Sequence, residues 1–373
     1  MNSKPIFVYS EALMGYDLGA EHPLRPIRLK MTYELLKSYG LFEGALELIE
    51  PIHARREVLE TVHASAYLDM IERLDSGEPV RGMQQFGFGG GDNPIFRGLA
   101  SSSSLYSGAA VQAAQAVVEG AKVAFSMSGG LHHAHYRKAA GFCVLNDCAL
   151  AVRRLRTKFA KVAYVDIDVH HGDGVQELFY DDPNALTVSL HEGGDSLFPG
   201  TGYVSEIGEG PGIGYSVNLP FAPYTTDDLW ISSFNSGVLP ILKAFNPDAI
   251  VLQMGCDPHY SDPLAHVCLT TQGWLEGVKA VQNLGKPIVA LGGGGYNLEN
   301  VPRMWTMAVA TLVGMTLPDE IPRNYAYIDQ VPPTLSDHVT VDLGDKRANA
   351  ARLYASESIA EIKRLLFTIH GLK

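Results

Sequence analysis

The sequence predicts an α/β fold, a single open three-layer domain in which a mostly parallel sheet of about eight strands is flanked by helices. Two observations carry this: short apolar, β-rich runs recur along the chain, and helix-like segments separate most of them. A third is that polar clusters follow several of the runs at once, as in open parallel sheets, whose functional groups gather at the carboxyl ends of the strands.

The runs are Ile6–Tyr9, Lys122–Ser126, Val162–Asp166, Leu186–His191, Tyr215–Leu219, Ala249–Met254 and Pro287–Leu291. Between the first two, Pro26 to Tyr39 reads as a helix: proline opens it, Ile27, Met31, Leu35 and Leu36 form its apolar stripe, and Gly40 stops it. Ser101 to Glu119 reads as another, with serines in the first turn and Gly120 at its end. Met304 to Leu317 is a buried helix, since it falls short of the roughly 20 apolar residues that a membrane span needs. Pro332-Pro333 and a charged helical stretch from Asp345 to Leu366 suggest a division into a principal domain, residues 1–320, and a C-terminal extension, residues 321–373, packed on or beside it.

The composition is that of an ordinary globular chain: 373 residues, 46% hydrophobic and 19% charged. A net charge of −12 argues against a nucleic-acid surface, which needs concentrated basic residues, and suits basic partners instead. Cys143, Cys148, Cys256 and Cys268 show no Cys-x-x-Cys spacing, so neither a zinc knuckle nor a disulfide framework is indicated and a reducing compartment fits. The apolar run within the first ten residues is too short for a signal peptide. A cytoplasmic protein without a membrane span is the expectation.

The most informative segment is Val162 to Gly174, where an apolar strand runs into Asp166, Asp168, His170, His171 and Asp173. The period of two of an extended chain would set Asp166, Asp168 and His170 on one side of the backbone, so that Asp168 and His170 grip a divalent metal. Asp257, just beyond another dry strand, is the natural third ligand. Two carboxylates and one imidazole suit Zn²⁺ or Fe²⁺ and leave positions open for water and a substrate carbonyl.

His132-His133 follow the run at Lys122–Ser126, and Asp166 and Asp173 remain to hold one imidazole each. One neutral histidine then serves as general base toward water and afterwards protonates a leaving amine. The glycines Gly292–Gly295 lack the features of a phosphate loop and present Tyr296, whose hydroxyl could stabilise an oxyanion. Gly87–Asp92 reads as a rim loop in which Asp92 accepts backbone N–H groups of a substrate. Phe142 and Phe198 are core candidates that could wall an apolar tunnel. His171, His191, His259 and His266 read as hydrogen-bonded core or rim residues.

With these residues assembled, the chain resembles the histone deacetylase family of the arginase/deacetylase superfamily, and within it the bacterial branch typified by the acetoin utilisation protein. The resemblance covers about residues 5–310 and rests on His22-Pro23-Leu24-Arg25-Pro26-Ile27-Arg28, Gly129 to Ala134, Gly141 to Asp147, Asp166 to Gly174, Ser189-Leu190-His191, Phe198 to Gly202, Asp257 to Leu264 and Gly292 to Tyr296. It implies zinc on Asp168, His170 and Asp257, paired histidines His132 and His133 oriented by Asp166 and Asp173, with His133 as general base and acid, and Tyr296 polarising an acetyl carbonyl. It further implies an acyl-lysine tunnel lined by Gly141, Phe142 and Phe198, with Leu264 at the gatekeeper position, a substrate backbone held by Asp92, Arg28 beside an inner acetate channel, and a structural K⁺ near Asp166, Asp168, His170, Ser189 and Leu190. The stretch Pro258 to His266 departs from the sequence usual in eukaryotic class I members.

The activity so implied is hydrolysis of Nε-acetyl-lysine in a protein or peptide to lysine and acetate. The alternative is deacetylation of acetylpolyamines or other small acetylated amines, which neutral Leu264 disfavours. An arginase-like two-metal hydrolase conflicts with carboxylates already committed to histidines, and a module that only binds acyl-lysine conflicts with a complete set of catalytic groups.

Overall fold

The computed structural model describes residues 4–373; part of the segment weighed as a signal peptide, residues 1–3, lies outside them. A single sheet of eight strands forms the centre: β1 (Ile6–Val8), β2 (Glu47–Ile49), β3 (Val123–Ser126), β4 (Val162–Asp166), β5 (Ala185–Glu192), β6 (Ser216–Phe221), β7 (Ala249–Gln253) and β8 (Ile288–Leu291). All pair in parallel, in the order β2-β1-β3-β8-β7-β4-β5-β6. The central strands are apolar along nearly their whole length because helices cover both faces: every residue of β3, β4, β7 and β8 is buried.

β2 is the strand that the apolar pattern does not reveal. It is three residues long at the edge of the sheet, and Glu47 and Leu48 are exposed, so no alternation marks it. The helix read at Pro26–Tyr39 spans Ile27–Ser38, and the one at Ser101–Glu119 begins slightly earlier, covering Leu99–Val118. The latter lies along β1, β3 and β8 and against the helix Asp147–Leu155, which covers β4 and β7. A second group, Ile27–Ser38, Val301–Leu312 and Thr271–Gln282, packs in succession. From it the Trp305 and Trp274 indoles donate to the carbonyls of Met254 and Gly255, just past β7, at 2.8 and 2.7 Å. Among the described residues no helix is long and apolar enough to cross a membrane.

After residue 320 the chain stays in contact with this body. Ile321, Tyr325 and Leu335 cluster with Leu35, the Tyr325 hydroxyl donates to Met31 O, and Asp337 accepts from Arg303 at 2.7 Å. The helix Gly344–Ile362 lies on β6, burying Ala351, Ala355 and Ile362.

Two features of the sheet position the site. The strands β3, β8, β7 and β4 are consecutive in space, so the polar segments beyond them meet at one edge. The registers also set Ser126, Leu291, Gln253, Asp166 and Ser189 side by side in one row at that edge.

Candidate active site

Strand β4 ends at Asp166, and the next residues do not continue it. The expected alternation therefore does not operate: the Asp166 carboxylate turns toward His132, whereas Asp168 and His170 turn toward Asp257. The bend is held by carboxylates accepting from nearby backbone. Asp168 N donates to Asp166 Oδ1 at 3.1 Å, and His170 N donates to Asp168 Oδ1 at 3.0 Å.

Asp168, His170 and Asp257 are buried, each offers a ligand atom, and the three atoms lie within 4.8 Å of one another. His170 Nδ1 lies 3.2 Å from Asp168 Oδ1 and 3.0 Å from Asp257 Oδ2. The remaining oxygens are occupied: Asp168 Oδ2 accepts from Gln253 Nε2 and Gly294 N, both at 2.7 Å, and Asp257 Oδ1 accepts from Val169 N at 2.9 Å. A Cβ on Gly255 would fall 2.1 Å from Asp168 Oδ2, and one on Gly294 2.0 Å from Asp257 Oδ2, so only glycine lets the backbone lie against these carboxylates. One nitrogen and two oxygens, gathered in the dry interior and oriented by further hydrogen bonds, fit a single Zn²⁺ or Fe²⁺. Burial opposes the His170 imidazolium, yet its hydrogen bonds to Asp168 and Asp257 lift its pKa to about 10. Burial also raises the Asp257 carboxyl, to about 7.

The two histidine–aspartate pairs are formed. His132 Nδ1 lies 2.7 Å from Asp166 Oδ2, His133 Nδ1 lies 2.6 Å from Asp173 Oδ1, and the two Nε2 atoms are 3.0 Å apart. The pairs differ electrostatically. Burial is the largest influence on both and disfavours charge. At His132 it is outweighed by Asp166 and Asp168, which raise the pKa to about 9; at His133 it is reinforced by the neighbouring His132, and the pKa falls to about 4. The arrangement is a charged imidazole beside a neutral one.

A cavity of about 210 Å³ reaches this group from the surface, lined by Asp92, His133, Gly141, Phe142, His170, Leu197, Phe198, Leu264 and Tyr296. Phe198 stands edge-on to His133, with ring centroids 5.0 Å apart, and Phe142 stands edge-on to Tyr296 at 5.8 Å. Asp92 is exposed at the rim. Arg28 is buried behind the site, donating to Gly295 O at 3.0 Å with its guanidinium over the Trp305 ring. Ser189 neighbours Asp166 in the register, with its hydroxyl 2.8 Å from His191 Nδ1. Leu190 is buried in the core.

Of the remaining histidines, His171, His191 and His259 are buried and hydrogen-bonded. His266 is half-exposed against Glu192.

Several residues hold the site without a role in the sequence reading, although Asn146, Asp147 and Asp262 lie within its motifs. Gln253 connects Asp168 to Gly130 O and accepts from Gly255 N; a glutamine closing an otherwise dry strand is the signal that marks it. Asp147 accepts from Gly130 N and Leu131 N, and Asn146 donates to the carbonyls of His132 and Ala134, which together fix the histidine loop. Asp262 accepts from Tyr296 N at 2.8 Å.

Comparison with known proteins decides the family. The model of the histone deacetylase domain matches residues 22–312. The chain belongs to the histone deacetylase family. It is 37% identical over 326 residues to the acetoin utilization protein AcuC of Bacillus subtilis, covering 85% of this chain and 84% of that one. It is 34% identical over 368 residues to human histone deacetylase 1, covering 98% of this chain and 74% of the relative. Among solved structures, an HDAC homologue from Aquifex aeolicus superposes with a TM-score of 0.86 at 29% identity, covering 97% of this chain and 100% of that one. This family member is thus a deacetylase, a hydrolase of carboxamide bonds.

Proposed function

We propose that this deacetylase acts on Nε-acetyl-lysine in proteins or peptides and uses Zn²⁺ held by Asp168, His170 and Asp257. The observation that carries the reading is the narrow cavity with Phe142, Phe198 and Leu264 along it and His133, His170 and Tyr296 among its lining: apolar walls suit the methylenes of lysine, and its polar groups suit an amide. The bound ion supplies Lewis acidity toward the acetyl oxygen and makes water more acidic.

The chain's own groups do the rest. His133 is neutral with its Nδ1 proton on Asp173, and its Nε2, which faces His132 Nε2 at 3.0 Å, exchanges that contact for the attacking water and accepts its proton. His132, paired with Asp166, contributes positive charge next to the reacting atoms. The Tyr296 hydroxyl donates to the acetyl oxygen as negative charge grows there. His133 then returns its proton to the leaving amine, releasing lysine and acetate. The same reading includes a structural K⁺ at oxygens of Asp166, Asp168, His170, Ser189 and Leu190, supported by the register that sets Asp166 beside Ser189.

The test is turnover of an acetyl-lysine peptide by purified protein, with Tyr296→Phe alongside. The variant should keep its metal and lose about 10²- to 10³-fold in kcat, the usual effect of removing one oxyanion donor. Unchanged kcat refutes the role of Tyr296. Cleavage of acetylputrescine with no cleavage of the peptide refutes the substrate.

A further inference from the structure

The Asp173 carboxylate has an inner and an outer side. Oδ1 lies 2.6 Å from His133 Nδ1 and accepts from Gly174 N at 2.9 Å. Asp173 also lines a second cavity, about 360 Å³, which shares no lining residue with the tunnel. His135 lines it too, with Nε2 3.4 Å from Asp173 Oδ2, and its other ring nitrogen, Nδ1, contacts Glu177 Oε2 more closely. The backbone of His135 is fixed: its N–H donates to Lys138 O at 2.8 Å, and its carbonyl accepts from His63 Nδ1 at 3.0 Å.

A carboxylate can only accept, so an imidazole with a carboxylate at each nitrogen satisfies both only when both nitrogens carry protons. His135 is therefore an imidazolium. Burial opposes that charge, but Asp173 and Glu177 outweigh it and lift the pKa to about 9. In return His135 holds the Glu177 carboxyl below its ordinary value. The other titratable groups lining the cavity, Tyr180, Glu206 and Glu209, are acidic and do not oppose the charge. Arg137, on the same turn as His135, lies over the Tyr136 ring.

These contacts form a line, Glu177–His135–Asp173–His133. Seen from His133, the imidazolium and Glu177 are a nearly neutral pair, so they contribute direction more than net charge: they hold Oδ2 outward and leave Oδ1 aimed at Nδ1. Loss of one proton reverses this. Glu177 has the closer contact and keeps the remaining proton on Nδ1, and Nε2 then turns a lone pair toward Asp173 Oδ2.

We infer that His135 is a positioning residue for the deacetylation: as an imidazolium bridging Glu177 and Asp173, it fixes the carboxylate that orients His133. The inference rests on the reading of His133 as the base and holds for whichever acetylated amine is the substrate.

The experiment follows kcat of the wild type, His135→Ala and His135→Lys from pH 7 to 10, on an acetyl-lysine peptide or whichever acetylated amine the protein cleaves. At pH 7.5 His135→Ala should lose about 3- to 10-fold in kcat, as for loss of one hydrogen bond, with KM unchanged. The wild-type-to-Ala ratio should then decline toward unity with a midpoint near pH 9, because other titrations are common to both proteins and cancel. A ratio constant across the range reports packing alone and overturns the inference, as does a ratio of unity throughout. His135→Lys keeps a cation to about pH 10. The wild-type-to-Lys ratio should therefore fall through the same midpoint, and a flat one overturns the inference even where His135→Ala does not fold. His133→Ala separates the two ideas: full activity in that variant refutes the base and the inference with it, whereas an inactive His133→Ala with pH-independent ratios at His135 refutes the positioning role alone.

Discussion

Gly141→Ala tests the geometry of the tunnel with one added methyl group. Gly141 has a φ of +50°, a region that costs an L residue about 1–2 kcal/mol. A Cβ at this position would stand 2.4 Å from His133 Cδ2 and 2.8 Å from Phe198 Cε1, whereas ordinary contact begins at 3.4 Å. The His133 ring would therefore have to withdraw by about 1 Å (3.4 less 2.4 Å). It has little freedom to do so, because Nδ1 is bound to Asp173 at 2.6 Å and Nε2 faces His132 Nε2 at 3.0 Å. A displacement of that size at a reacting group is worth about 100-fold in rate. The expected result is a fall in kcat/KM of about 100-fold with a melting temperature only a few degrees lower. Metal content should be unchanged, since neither contact involves Asp168, His170 or Asp257. Peptide deacetylation, metal analysis and a thermal melt on one preparation measure all three. A folded, metal-loaded variant within about threefold of wild-type kcat/KM would refute the claim that this cavity is the route by which substrate reaches His133.

Gln253→Leu removes a donor to Asp168 and strands Gly130 O and Gly255 N in the interior. Metal affinity should fall about 10- to 100-fold, as for other supports of metal ligands, and a competition titration against a chelator would show it; equal affinity means Gln253 does not orient Asp168. Loading the metal-free protein near pH 7.5 should expel at least one proton per ion, because His170 with its pKa near 10 must give up the proton on Nδ1 before binding. Calorimetric titration in buffers of different ionisation enthalpy reads this, and a buffer-independent enthalpy contradicts it. Stability should also depend on pH through His63, whose pKa burial lowers to about 4 from an unfolded value of about 6.5. Its contribution is complete above pH 6.5 and is lost as pH falls toward 4, since the unfolded chain then binds the extra proton. Between pH 7 and 5 that amounts to about 2 kcal/mol. His63→Gln retains an acceptor for Asn146 N and should reduce the slope of unfolding free energy over that range by this amount; an unaltered slope assigns the pH dependence elsewhere.

How far the sequence carries the structure is clearest at the sheet edge. Apolar runs closed by polar clusters mark each central strand, because burial on both faces leaves a parallel strand little room for anything else. They do not reveal that β3 and β4, successive in the chain, stand apart with β8 and β7 between them, and that interleaving is what brings His132, Tyr296, Asp257 and Asp168 together. Three-residue, partly exposed β2 carries too little pattern to be seen at all. Among the aspartates, spacing finds the right residues for a reason that the structure replaces. Asp166 and Asp168 do not share a face of an extended strand. What separates their tasks is which neighbours each carboxylate meets. Asp166 has Oδ1 on Asp168 N and Oδ2 on His132 and the Tyr164 hydroxyl, so its carboxylate is held to the imidazole of His132. Asp168 commits Oδ2 to Gln253 and Gly294, and Asp257 commits Oδ1 to Val169, while Asp168 Oδ1, which also accepts from His170 N, and Asp257 Oδ2 lie beside His170 Nδ1. Chemically identical side chains thus become an imidazole support in one case and candidate ligands in the others through their hydrogen-bond partners. Because those partners include Gln253 and Gly294, on segments outside Val162 to Gly174, no spacing rule within that stretch can make the distinction.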